Sequence, residues 1–169
     1  FPALWMILFI NIFCGIAILS IASPMAQEIA GMTTAQAATM VGIIGLFNGA
    51  GRIAWSSFSD YFGRANTYIL FFVIEIIGYY FLTTLTGNAF VAMVYLLISC
   101  YGGGFSCMPA YLSDIFGVRQ LSVIHGHILT AWGIAGLLAP MFIAYCKQAF
   151  SGYTVVLYTF VGLFIFALA

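Results

Sequence analysis

Six apolar runs, each about as long as a helix needs to cross a bilayer core, follow one another with only short turn segments between them. They cover residues 3–23, 34–58, 66–86, 89–112, 122–146 and 153–169. In lipid every backbone polar group must find its partner inside the chain, so only helices and closed barrels can span. The runs are continuous rather than alternating, which argues against a barrel. The predicted fold class is therefore all-α, a polytopic membrane protein of six transmembrane helices. With 64% hydrophobic residues, 5% charged residues and a mean hydropathy of +1.16, the chain has too few charged side chains to cover a surface in water. Its solvent is the lipid bilayer.

Turn chemistry marks the boundaries. Pro24 is expected to end the first crossing, because proline has no N–H to continue the backbone ladder. Thr33 followed by Gln36 forms a capping box at the start of the second. Gly87-Asn88 closes the third. Such short connections make consecutive helices antiparallel neighbours, with no linker and no soluble domain visible. The chain opens on Phe1 without a basic leader and stops inside an apolar run, so it is expected to be a piece of a longer protein. Odd-numbered loops share one face. That places Asp60 to Arg64 and Asp114 to Arg119 together, opposite Glu28 and Lys147, and the arginine-bearing face is expected to be cytoplasmic.

Only four acidic and four basic residues are present, scattered singly, so nucleic-acid binding has no electrostatic footing. Cys14, Cys100, Cys107 and Cys146 lie in or beside apolar runs without metal-ligand spacing and read as small apolar fillers. No metal and no cofactor is expected. No nucleophile–base set is legible among so few polar residues, so an enzyme is not expected either.

Arg52 is the exception that needs a reason. A guanidinium in the middle of a crossing costs about 2.5–3.5 kcal/mol on insertion scales and needs an anion, a dipole or water opposite it. It precedes Asp60 by eight residues, or about 12 Å of helix rise, which is too deep for it to reach the headgroups easily. Asn48 stands one turn away on the same face. A planar guanidinium fork matches a carboxylate, and a neighbouring amide can orient a hydroxyl or keto oxygen, so the pair reads as a site for a small organic anion. The alternative is that Arg52 pairs with Glu75 or with backbone carbonyls and locks helices together. Gly42, Gly45, Gly49 and Gly51 would let a ligand or another helix come close.

Four further residues carry candidate chemistry. Tyr101 brings a hydroxyl to membrane depth just before Gly102-Gly103-Gly104, a stretch that either bends as a gate or permits close helix packing. Glu75, mid-crossing, is disfavoured in its charged form, and suits either a proton carrier or a neutral acid bonded to a neighbour. His125 and His127, two apart and hence on different faces, suit a proton-linked step or merely an interface.

The segment Gly51-Arg52-Ile53-Ala54-Trp55-Ser56-Ser57-Phe58-Ser59-Asp60-Tyr61-Phe62-Gly63-Arg64 resembles the repeated loop motif of the major facilitator superfamily, a glycine-rich helix end leading into D-x-x-G-R. The resemblance implies a twelve-helix fold of two six-helix halves, and assigns Asp60, Gly63 and Arg64 to a latch that biases the access state. The segments from Tyr101 to Gly117 and from Ile124 to Gly133 resemble the C-terminal half of the oxalate/formate antiporter family, which is similar to the monocarboxylate transporters. On that resemblance the whole fragment is the C-terminal half, its N-terminal partner half is missing, and Arg52 binds substrate carboxylate. Related carriers often place Asp or Asn four residues before that arginine, here Asn48, which cannot carry a proton. Where the oxalate carriers of this family have a second cation, a lysine, this chain has Trp132. One cation fewer argues against a doubly charged substrate.

The resulting expectation is a secondary transporter of a small monocarboxylate such as lactate, pyruvate or formate. It would be proton-coupled, working by alternating access in the plasma or inner membrane. Arg52, Asn48 and Tyr101 would hold the substrate, and Glu75, His125 or His127 would serve the proton. An oxalate/formate-type exchanger and a carboxylate receptor that does not transport are the alternatives.

Overall fold

The computed structural model describes residues 1–150 and 152–169. Among these, seven α-helices follow in order: α1 (Pro2–Glu28), α2 (Thr34–Phe62), α3 (Arg64–Leu82), α4 (Gly87–Phe116), α5 (Leu121–Ile128), α6 (Thr130–Ala149) and α7 (Thr154–Leu168). A 3₁₀ turn (Val118–Gln120) leads into α5, and α5 and α6 make one crossing. The first four helices and the stretch Val118–Ala149 are long and apolar enough to cross a membrane; α7 is apolar and shorter. The six expected crossings are therefore six helical units of an all-α bundle.

Several boundaries differ from expectation. Pro24 does not end α1, which continues to Glu28. Proline removes one backbone bond, whereas unwinding here would orphan a whole turn of polar groups. The third crossing ends at Leu82 rather than residue 86, because the Thr83 and Thr84 hydroxyls donate to the carbonyls of Tyr80 and Phe81 and terminate the ladder. The second and fourth run one turn further than their apolar residues, to Phe62 and Phe116. Both stop at glycines with positive φ, Gly63 at 91° and Gly117 at 76°, a conformation that a Cβ would oppose. The capping box at Thr33 and Gln36 forms as the sequence predicts.

The fifth crossing is interrupted at Leu129. Thr130 Oγ1 donates to the His127 carbonyl (2.7 Å) and accepts from the Trp5 indole (2.9 Å), so a side chain competes with the backbone ladder where the helix breaks.

α1 and α4 form the centre. α2 lies along α4 and also touches α1, α6 packs on α1, and α3 and α7 pair on the far side. Of the most apolar stretch of α1, 61% is buried, against 22% for α2 and 28% for the α5–α6 crossing. Those two crossings therefore turn broad surfaces outward. At the α2–α4 contact the backbones nearly touch. A Cβ built at Gly51 would lie 2.7 Å from Ser99 Cα, one at Gly103 would lie 2.7 Å from Trp55 Cβ, and one at Gly102 would collide with the Asn48 carbonyl oxygen. The triple glycine is thus a packing surface inside an unbroken helix.

Candidate functional site

Arg52 stands on the outward face of α2, and its Nε donates to Asn48 Oδ1 at 3.2 Å, the i to i+4 contact the spacing implied. Its guanidinium lies 5.2 Å from the centre of the Phe105 ring of α4. Phe105 in turn meets Trp132 of α6 edge-on, with ring centres 6.5 Å apart. Arg52, Phe105 and Trp132 thus join the outward faces of three crossings into one surface. Tyr101, one turn before Phe105, is buried against Gly15 of α1.

The alternative pairing of Arg52 with Glu75 does not occur. Glu75 is fully buried and accepts instead from Asn11 Nδ2 at 3.4 Å. Among the described residues every ion pair belongs to Arg64, so the Arg52 guanidinium has no carboxylate of its own. With Nε held by Asn48, its two Nη groups remain available as an end-on fork. Gly45 and Gly49 lie along the same helix with open space where a Cβ would be.

At the end of α2, Arg64 pairs with Asp60 and also approaches Asp114 Oδ2 at 3.5 Å, while donating to Ser59 Oγ and to the Ser56 carbonyl. One guanidinium therefore ties the ends of α2, α3 and α4. Loop parity puts Asp114 on the same face as this cluster but does not single it out as a partner of Arg64, although a signal is present: Ser113-Asp114-Ile115-Phe116-Gly117 echoes Ser59-Asp60-Tyr61-Phe62-Gly63. A polar seam runs from this cluster toward Arg52. Ser106 Oγ donates to the Arg52 carbonyl (3.0 Å) and lies 2.7 Å from Ser56 Oγ, and Ser59 Oγ donates to the Ser56 carbonyl (2.8 Å).

The two aspartates are more than half exposed, and exposed ion pairs contribute about 0–1 kcal/mol. Asp114→Asn should accordingly leave Tm almost unchanged. Thermal unfolding of the two proteins, followed by fluorescence-detected size-exclusion chromatography, checks this.

His127 is exposed, with Nδ1 2.8 Å from the Val123 carbonyl, while His125 is half-buried and its Nδ1 has no partner. They face different ways and do not join Arg52. Glu28 and Lys147 come together at the opposite end of the bundle from Arg64. There the Tyr153 hydroxyl donates to Glu28 Oε1 (3.2 Å), and the Lys147 ammonium lies 5.1 Å from the centre of the Tyr153 ring. The four cysteines are buried and unpaired.

The family model described as Major Facilitator Superfamily matches residues 4–169. The chain belongs to the Major Facilitator Superfamily. In that superfamily it is similar to the Oxalate:formate antiporter of Oxalobacter formigenes, 29% identical over 173 residues, covering 100% of this chain and 41% of that protein. It is also similar to the Uncharacterized MFS-type transporter YhjX of Escherichia coli (strain K12), 27% identical over 141 residues, covering 80% of this chain and 35% of the relative. The chain thus spans less than half the length of either relative. Its helices form a multi-pass membrane bundle that fits one half of a major facilitator fold.

Proposed function

We propose that this chain is the C-terminal half of a secondary transporter that moves a small monocarboxylate across the plasma or inner membrane by alternating access. The observation that carries the reading is Arg52, a guanidinium at membrane depth with no carboxylate of its own, on an outward face. The end-on fork of Arg52 takes the substrate carboxylate. Asn48, holding Nε through Oδ1, keeps its amide N–H groups for a hydroxyl or keto oxygen on the next carbon, as in lactate or pyruvate. Tyr101 and Phe105 form the floor, and the outward faces of α2 and of α5–α6 meet the missing half. The Asp60, Arg64 and Asp114 cluster, with Gly63 at its turn, latches one access state.

A proton accompanies the anion, which makes transport of a monocarboxylate electroneutral. Of the residues suited to that proton, His127 is reachable from outside the bundle. The test is accumulation of labelled lactate, pyruvate and formate in vesicles bearing the full-length protein under an imposed pH gradient. Accumulation above the external concentration supports the transporter. Saturable binding without accumulation would point to a receptor and end this reading.

The kinship with an oxalate:formate antiporter favours a second reading, exchange of oxalate for formate. Trp132 favours the first reading. It occupies the surface that Arg52 and Phe105 define, where a dianion would need a second cation. Trp132→Lys should raise oxalate uptake at least several-fold over the parent; if it does not change at all, the missing-cation argument is wrong.

A further inference from the structure

Glu75 and Asn11 present a hydrogen-bond problem that the substrate site does not explain. Both side chains are fully buried, Glu75 in α3 and Asn11 in α1. The Asn11 amide donates to Glu75 Oε1, which leaves Asn11 Oδ1 and Glu75 Oε2 as two buried acceptors with no donor. Buried polar atoms without partners are rare in folded chains, and two on one contacting pair ask for a common cause.

A single hydrogen supplies it. Placed on Oε2, it converts the carboxylate into an acid whose O–H donates to Asn11 Oδ1, closing a second bond antiparallel to the first. The surroundings favour the neutral form. The titratable groups facing Glu75 are Cys14 of α1, Cys100 of α4, and Tyr68 and Tyr79 of α3 itself, none of which carries a positive charge. α7, packed along α3, contains no Asp, Glu, Lys, Arg or His. Of the basic side chains of α2 and α3, Arg52 is engaged by Asn48 and Phe105, and Arg64 by two aspartates. The Tyr68 hydroxyl is already committed to the Gly104 carbonyl. Gly104 also closes over Asn11, since a Cβ there would fall 2.6 Å from Oδ1. An isolated carboxylate in such a place takes up a proton rather than remain charged.

We propose that Glu75 holds its proton throughout turnover and that the acid–amide pair with Asn11 is a fixed clasp between α1 and α3, positioning Tyr101. Asn11 and Gly15 lie one turn apart on α1, and the Tyr101 ring rests on Gly15, so the clasp fixes the ground on which that tyrosine stands. Glu75 is then a positioning residue and not the carrier of a transported proton.

Infrared spectroscopy of the full-length protein in lipid tests this without any substrate. The spectrum should contain a protonated-carboxyl C=O band that persists from mildly acidic to mildly alkaline pH and vanishes in Glu75→Gln. That variant can make both bonds to Asn11 and should keep the parent's Tm and the parent's pH profile of uptake. Glu75→Ala should unfold at clearly lower temperature. A Glu75 carboxylate band appearing at alkaline pH would overturn the proposal. So would a Glu75→Gln protein that folds and exchanges substrate but has lost pH-driven accumulation. Failure of the carboxylate reading itself leaves the infrared result unaffected.

Discussion

Arg52→Ala should reduce uptake of a monocarboxylate by about 30-fold to several-thousand-fold while the protein still inserts and folds. Removing one partner of a desolvated, hydrogen-bonded charge pair costs about 2–5 kcal/mol, and each 1.4 kcal/mol is a factor of ten. The fold should survive because Arg52 stands on an outward face and, among the described residues, its side chain makes one bond to Asn48 and one contact with the Phe105 ring, while its carbonyl, which accepts from Ser106, is kept in the variant. Arg52→Lys separates charge from geometry. An ammonium keeps the positive charge but cannot hold Asn48 with Nε while offering a two-pronged fork, so partial activity with a raised KM is the expected result. Asn48→Ala should act differently, releasing Nε, loosening the orientation of the fork, and lowering discrimination between lactate or pyruvate and formate, which has no second polar carbon. Initial rates of labelled uptake in vesicles, corrected for the amount of folded protein, decide all three. Uptake by Arg52→Ala at the parent rate would remove the carboxylate role.

The crossings were legible because the bilayer imposes a length on each apolar run and leaves helices as the solution. The ends were less so, because hydropathy falls to polar values one turn before the backbone ladder stops. Ser59-Asp60-Tyr61-Phe62 and Ser113-Asp114-Ile115-Phe116 both remain helical, and positive-φ glycines, not polarity, end them. Pro24 misled for the converse reason, since the cost of one missing bond is small beside that of an unwound turn in lipid. The contact of Arg52 with Asn48 followed from helical spacing alone. What could not be read was everything set by contact between distant segments. Phe105 beneath the guanidinium, Asp114 reaching Arg64, and Asn11 rather than Arg52 as the partner of Glu75 all depend on how α1, α3 and α4 lie against one another.

Valine at Gly102 should be the most damaging single change in the α2–α4 contact, because no side-chain adjustment can make room for it. A Cβ at Gly102 runs into the carbonyl oxygen of Asn48, and one at Gly51 into the backbone of Ser99, so the two helices would have to separate along their whole contact. Overpacking a well-filled interior costs about 1–3 kcal/mol when side chains can yield, and more when backbone must move, against a typical total stability of about 5–15 kcal/mol. Gly102→Val should therefore lose most of its folded protein or, where folded, most of its uptake, since the displaced residue is the one that holds Arg52. Gly51→Val should behave alike, and the double variant should be no worse than the poorer single one, because both force the same separation. Gly45→Ala and Gly49→Ala should be far milder. Within this half open space awaits their Cβ atoms, and alanine in a helix is favoured over glycine by about 0.8–1.0 kcal/mol, so their Tm should stay well above that of the valine variants. Thermal unfolding followed by fluorescence-detected size-exclusion chromatography compares the four. If Gly102→Val and Gly45→Ala proved equally stable, the near contact of α2 and α4 would be refuted. The placement of Asn48 and Arg52 over Tyr101 and Phe105 would fall with it.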